Sequence, residues 1–296
     1  MIVRIRSYIN RIKKKLCQAS IKEYLENRDS DIVFPVLSDM AGNEWDAYMS
    51  DIMGELRSSP SSFLRQPTIS KTVHPNELEL ALSYLVELSN DKFSREMILP
   101  RLHDVPMGDP HLCPFFPFAS PVTVQHGFYL AKMQEYFDVF MPDSDIKNIV
   151  DIGGGYGNFC RIIFDYGFNG TYNIVDLPGM HVLQKHYLSL IYPKEIEDGK
   201  INFGLVSDDV MFASNEKSLL IATFSMSEMP VSTRELIKEK IRNFDYIFLA
   251  YNQSFDGVDN ESYFKELSNY LCDSHDINMV KDTHRRAWFL FLEKRF

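Results

Sequence analysis

The stretch most able to do chemistry runs from Ile149 to Phe159, IVDIGGGYGNF, in which β-branched residues feed an acid, Asp151, and then glycines at 153, 154, 155 and 157. Glycine lets backbone N–H and C=O groups approach a ligand with no side chain between them. Two common phosphate-binding patterns fail here. A dinucleotide fingerprint G-x-G-x-x-G beginning at Gly153 needs glycine at 158, where the chain has Asn158, and no G-K-[ST] follows to make a P-loop. What remains is D-x-G-x-G-x-G, followed nineteen residues after Gly157 by a second acid, Asp176, at the end of another β-branched run. A carboxylate at that place can accept hydrogen bonds from both hydroxyls of a ribose.

The elements that must position these residues are legible as a change of texture near residue 146. From there, short apolar runs alternate with helical segments: KNIVDI, YNIVD, INFGLV, LLIATFS and YIFLAYN. Strands alternating with helices predict a parallel sheet covered on both faces. The last two runs, INMVKDTH and AWFLFLEKR, are too close together for a helical crossover, which predicts an antiparallel hairpin closing the sheet. Upstream, NEWDAYMSDIMGEL (43–56), NELELALSYLVELS (76–89) and TVQHGFYLAKMQEYFDVF (123–140) have helical apolar spacing. SSPSSFLRQP (58–67) and DVPMGDPHLCPFFPFASP (104–121) read as connectors. The expected organisation is a basic segment at 1–22, a helical region at 23–140 that caps the site, and a sheet domain at 141–296.

Composition narrows the setting. With 296 residues, 45% apolar and 13% aromatic, the chain can bury a real core. Its four cysteines, Cys17, Cys113, Cys160 and Cys272, form no C-x-x-C pair, which argues against a disulfide framework or structural zinc and for a cytoplasmic setting. No apolar run approaches the roughly 18 residues needed to span a bilayer, and charges occupy the place of a signal peptide's apolar centre, so a soluble or peripheral protein is expected. The net charge of −10 hides an asymmetry: residues 1–22 hold seven cations and no acid, leaving −17 on the rest. An acidic body repels polyphosphate, which makes nucleic acid a poor substrate guess. Ile2, Ile5, Ile9, Ile12 and Leu16 line one face of a basic helix, suited to peripheral contact with anionic lipid, to a partner, or to packing on its own domain.

The D-x-G-x-G-x-G pattern resembles that of the class I S-adenosylmethionine-dependent methyltransferases. More narrowly, DIGGGYGNF, YNIVDLPGM, KHYL, SMSEMP and YIFLAYNQ resemble, in order and spacing, the sugar O-methyltransferases of bacterial surface-polysaccharide clusters, with FLRQPTISKTVHP (63–75) a weaker echo. The resemblance implies a Rossmann-like doubly wound α/β sheet with a terminal antiparallel hairpin, preceded by a helical region. It implies S-adenosylmethionine as cofactor, held by Asp151, Gly153, Gly155, Gly157, Asp176, Leu177 and Ser225, with Asp208 on the adenine amino group. Segment Leu112 to Pro121 is more individual to this chain.

Methyl transfer is an in-line displacement, and a sugar hydroxyl needs a base or a metal to take or weaken its proton. In the family's fold the ends of the fourth and fifth strands face the transferred methyl; here they hold Ser225, Ser227, Glu228 and Asn252. Glu228 is the first choice for the base, against the competing role of capping the helix that begins near Val231. His126 is the second catalytic candidate, as base or as a contact to the methionine carboxylate. Asn252 and Phe116 are expected at the substrate, His284 with Arg285 and Arg286 in a structural or anionic-substrate role, and His181 and His186 in solvent. Mg²⁺ held by Asp208, Asp209 and Glu228 is the disfavoured alternative, since no second acidic cluster accompanies them. The function implied is O-methylation of a sugar or sugar nucleotide in surface-polysaccharide biosynthesis. Its rivals are a small-molecule O- or N-methyltransferase of secondary metabolism, with Phe115, Phe116 and Phe118 lining the acceptor pocket, and a non-catalytic subunit of the same fold; oligomeric state is left open.

Overall fold

The computed structural model describes residues 43–139, 141 and 143–295. The basic segment 1–22, and with it the proposed lipid-binding helix, lies outside the described residues. Helices α1 (Asn43–Ser58), α2 (Pro67–Thr72), α3 (Leu78–Asn90) and α4 (Pro121–Phe137) make up the N-terminal region. A π-helical turn at Ser94–Ile98 and a 3₁₀ turn at Phe63–Arg65 interrupt it. The start of α4 is set by its sequence. Ser120 accepts a hydrogen bond from Thr123 N, and Pro121 occupies the first turn, where its missing N–H costs nothing.

The sheet follows as β1 (Asn148–Ile152), α5 (Asn158–Asp165), β2 (Thr171–Val175), α6 (Pro178–Ser189), α7 (Pro193–Glu197), β3 (Ile201–Gly204), β4 (Ser218–Thr223), α8 (Ser225–Glu228), α9 (Val231–Ile241) and β5 (Tyr246–Asn252). A small hairpin of β6 (Ser254–Phe255) and β7 (Val258–Asp259), then α10 (Asn260–Leu271), lead into β8 (His275–Lys281) and β9 (Ala287–Lys294). The strand order is β3-β2-β1-β4-β5-β9-β8. Neighbours from β3 to β5 are parallel, while β9 runs antiparallel to both β5 and β8. This is a Rossmann-like doubly wound sheet, with the terminal antiparallel hairpin that the short spacing of the last two runs predicts. Strand order reverses between β1 and β4, which opens a crevice at their carboxyl ends.

Alternate residues along the strands supply two cores. Ile149, Tyr172, Ile174, Leu219, Ile221, Phe248, Phe289 and Phe291 face one side. Val150, Ile152, Leu220, Ala222, Ile247 and Leu249 face the other, against Ile237 and Ile241 of α9 and Phe264, Leu267 and Leu271 of α10. The first core runs without a break into Ile52, Phe63, Leu64, Tyr84, Leu88, Val124 and Met133 of the N-terminal region. That region therefore shares its hydrophobic contacts with the sheet face.

Two expectations are corrected. The segment 58–67 is more than a connector: Phe63 and Leu64 are wholly buried, and the Phe63 ring meets Tyr156, His186 and Tyr187 at 6.5, 5.5 and 6.2 Å between centroids. Its Ser and Pro content hides an apolar peg. His181 and His186 are not solvated, because α6 lies between the sheet edge and the N-terminal helices. His186 donates from Nε2 to Pro60 O at 3.2 Å, His181 packs edge-on to Phe203 at 5.9 Å, and burial lowers both imidazole pKa values, that of His181 to about 4.

The Phe63 peg generates a stability test. Phe63→Ala should cost about 3–5 kcal/mol, the usual loss for emptying a buried aromatic site. Urea denaturation followed by tryptophan fluorescence measures it. A loss under about 1 kcal/mol would mean that the turn is not anchored as described.

Candidate active site

The crevice between β1 and β4 opens into a cavity of about 360 Å³. This is within the usual range for small-molecule sites, roughly 300–1,000 Å³. Its floor is the turn after β1. Gly153 has φ +74°, and a Cβ there would lie 2.2 Å from the Cβ of Ser225, so only glycine lets the ends of β1 and β4 come this close. Ser225 donates its hydroxyl to Ile152 O and locks the approach. Gly155 opens onto the cavity. Gly157 does not: it precedes α5 in a left-handed conformation, and a Cβ would strike Leu188 at 2.9 Å.

Two carboxylates face this floor. Asp151 accepts a hydrogen bond from the Tyr172 hydroxyl at 2.8 Å. Asp176, at the end of β2, accepts from Leu177 N at 2.8 Å and from Gln184 Nε2 at 2.6 Å. The same Gln184 nitrogen reaches Gly155 O at 2.9 Å, tying the glycine turn to the acid. Burial raises both carboxyls to about 7, and the charge of Asp151 adds to the shift at Asp176. Leu177, Met180, Val206 and Phe159 supply the apolar part of the wall.

The opposite wall is the short turn after β4. Phe224 takes φ +69°, rare for a residue with a side chain, and delivers Ser225 to the β1 turn. Arg234, wholly buried, donates to Met229 O at 2.8 Å, Ser227 O at 2.7 Å and Asn260 Oδ1 at 2.7 Å. Glu228, between two of those carbonyl-bearing residues, is thus carried on a braced turn. Its Oε1 accepts from Asn252 Nδ2 at 3.4 Å. α9 begins after Pro230, which makes no side-chain cap hydrogen bond. Arg285, from the loop between β8 and β9, lies 4.3 Å over the Phe224 ring and 3.9 Å from Glu77, and both charged groups line the cavity.

The N-terminal region closes the site with Trp45, Lys71, Thr72, Val73, Pro75 and Glu77, and α4 adds Gln125, His126 and Tyr129. His126 is unsuited to the role of base. Its Nδ1 accepts a hydrogen bond from Asn158 at 3.1 Å, and burial lowers its pKa to about 3.

Of the expected residues, Asp151, Gly153, Gly155, Asp176, Leu177, Ser225, Glu228 and His126 meet in one cavity, while Asn252 touches it through Glu228. Asp208 is placed elsewhere: its carboxylate accepts from Leu205 N at 2.7 Å and shapes the turn after β3, while Val206 of that turn reaches the wall. Phe116 is also off the wall, packed against Phe118 at 5.6 Å in a loop whose Phe115 and Phe118 face solvent. Missed from sequence were Gln184, Tyr172, Phe224 and Arg234. Gln184 alone carried a usable signal, a polar residue on an otherwise apolar face of α6, two turns beyond Asp176. Among the described residues no group of three acids, histidines or cysteines comes together as a metal site.

No protein-family profile matches the sequence, and no curated protein matches it. Among solved structures, the chain is similar to the methyltransferase domain of bacterial CtHen1 at 11% identity and TM-score 0.45, over 57% of this chain and 97% of that one. It is also similar to the glycopeptide N-methyltransferase MtfA complexed with S-adenosyl-L-methionine, at 10% identity and TM-score 0.41, over 56% of this chain and 87% of that one. The fold assignment stands on the strand order and the reversed β9.

The paired acids set a pH dependence. A carboxyl raised to about 7 in the folded state, against roughly 3.9 when unfolded, keeps its proton on folding, so its contribution to stability is full at low pH and lost as pH rises toward 7. Asp176→Asn removes one of the two titrations. The stability of the wild type relative to this variant should therefore fall between about pH 4 and 7, by at most about 1.4 kcal/mol per pH unit, and level off above that. Urea denaturation across that range gives the difference; a flat or rising one contradicts the buried placement of Asp176.

Proposed function

We propose that the protein is an S-adenosylmethionine-dependent O-methyltransferase acting on a hydroxyl of a sugar or sugar nucleotide. The observation that carries this reading is the meeting, at the β1/β4 switch point, of a glycine turn and an acid after β2 with a braced carboxylate, Glu228, across the cavity. The residues fit the cofactor. Asp176 offers a carboxylate to ribose hydroxyls, Gly153 to Gly155 present bare backbone, and Leu177, Val206 and Met180 give an apolar bed for a base. When bound, the cofactor supplies an electrophilic methyl group on a sulfonium.

The chain's own residues do the rest. Glu228 accepts the proton of the acceptor hydroxyl, and Asn252 fixes the carboxylate's orientation by donating to Oε1. The walls from α2, α4 and the hairpin exclude water and hold the hydroxyl in line. Arg285, 4.3 Å over the Phe224 ring and 3.9 Å from Glu77, presents a cation to the acceptor side, which favours a phosphorylated sugar over an apolar metabolite. The acidic net charge of −10 likewise supports a small acceptor over a polynucleotide.

Formation of S-adenosylhomocysteine with a panel of sugar nucleotides tests the reading. Binding of NAD with no response to S-adenosylmethionine would sink it. Asp176→Ala should weaken the cofactor about 5- to 150-fold, the cost of unpaired ribose hydroxyls. Glu228→Gln should lower turnover roughly 10²–10⁴-fold with cofactor affinity nearly unchanged. Near-normal turnover in the glutamine variant would remove Glu228 as the base.

A further inference from the structure

Behind the cavity a row of hydrogen bonds fixes the state of one ring nitrogen. Arg161, 1% exposed, pairs through Nη1 with Asp165 Oδ2 at 2.6 Å. Its Nε and Nη2 both donate to Asn158 Oδ1, at 3.0 and 2.9 Å. With that oxygen occupied by a guanidinium, the Asn158 amide has one orientation, and its Nδ2 must point the other way. There it donates to His126 Nδ1 and to Thr123 Oγ1, each at 3.1 Å. Thr123 can only accept in this contact, because its own hydroxyl donates to Asp104 Oδ1 at 2.9 Å. His126 Nδ1 is thus an acceptor, and the proton of the neutral imidazole resides on Nε2.

Four further features show what such a donor meets. His126 lines the cavity together with Gly153, Gly154 and Gly155. Its ring is stacked on Phe159 at 4.7 Å, which favours this orientation. Arg161 stands behind it, a buried cation that opposes protonation of the ring and favours negative charge on the ring's far side. The Asn158 and Phe159 positions are also the first two of α5, whose N-terminus attracts anions.

Resting on the cofactor assignment above, we propose that His126 binds the carboxylate of the cofactor's amino-acid portion through Nε2–H, as a donor of fixed tautomer. Asp165, Arg161 and Asn158 are the positioning residues that set the tautomer. The wall thus holds the two ends of the cofactor by opposite means, an acceptor at Asp176 for the ribose and a donor at His126 for the carboxylate.

Two ligands separate this role from a structural one. S-adenosylhomocysteine has the amino-acid carboxylate; 5′-methylthioadenosine keeps the adenosine and the thioether but lacks it. By calorimetry, His126→Phe should weaken S-adenosylhomocysteine by roughly 10- to 100-fold, the usual range for a hydrogen bond to a charged group, and change 5′-methylthioadenosine less than about threefold. His126→Gln, whose amide nitrogen falls near the position of Nε2, should recover part of the loss. Asn158→Asp keeps a partner for Arg161 but accepts from Nδ1–H, moving the ring proton off Nε2, and should reproduce the selective loss. Equal weakening of both ligands in the two His126 variants, or retained affinity for S-adenosylhomocysteine in Asn158→Asp, overturns the proposal. Wild-type protein that binds neither ligand removes the cofactor reading itself, and this proposal with it.

Discussion

The contact on which the site depends is the approach of two backbone turns at Gly153 and Ser225. A single methyl at position 153 would overlap the Ser225 side chain, so the ends of β1 and β4 can be this close only with glycine there. The strained φ of Phe224 and the hydrogen bond from Ser225 to Ile152 O are the other halves of the same constraint. Once this junction closes, Asp151 lies under the turn, and Glu228 is set three residues beyond the junction on a segment that Arg234 clamps from behind. Strain at Phe224 persists because the contacts around it over-determine its conformation.

Much of this was legible in the sequence. Continuous short apolar runs such as YIFLAYN and AWFLFLEKR identify β5 and β9, since both faces of these strands are buried. The glycine turn, Asp176 and Glu228 were legible because backbone access and charge at strand ends are written in residue type. What escaped is whatever depends on a partner distant in sequence. Gln184 reads as an ordinary helical residue until its amide is seen joining Gly155 to Asp176, and Arg234 reads as a solvated cation until its three acceptors appear. Asp208 misled for the same reason. An acid just after a strand looks available, yet here its carboxylate is consumed by the local turn at Leu205. Phe116 likewise belongs to a loop that packs on itself.

The electrostatics of the cavity follow from its depth rather than from opposing charges. Asp151 and Asp176 are raised mainly by burial, opposed by hydrogen bonds from Tyr172 to Asp151 and from Leu177, Gln184 and the Gly154 backbone to Asp176. A cationic, hydroxyl-bearing ligand would supply the missing compensation, so the site is electrostatically incomplete on its own. Arg285 and Glu77 lie at a different part of the wall and leave this imbalance untouched.

The continuous core between the N-terminal helices and the sheet has an evolutionary consequence. Phe63, Tyr84 and Met133 belong to the same apolar cluster as Ile149, Tyr172 and Phe289, so the helices over the cavity are not a detachable module. Exchange of this segment by recombination would uncover the part of that sheet face over β5 and β9, where Tyr129 and Tyr136 pack on Phe248, Phe289 and Phe291. Acceptor preference in such a lineage has to drift by point substitution in the few wall residues that sit outside the buried cluster, Lys71, Thr72, Pro75, Glu77 and Gln125 among them, while the scaffold beneath stays fixed.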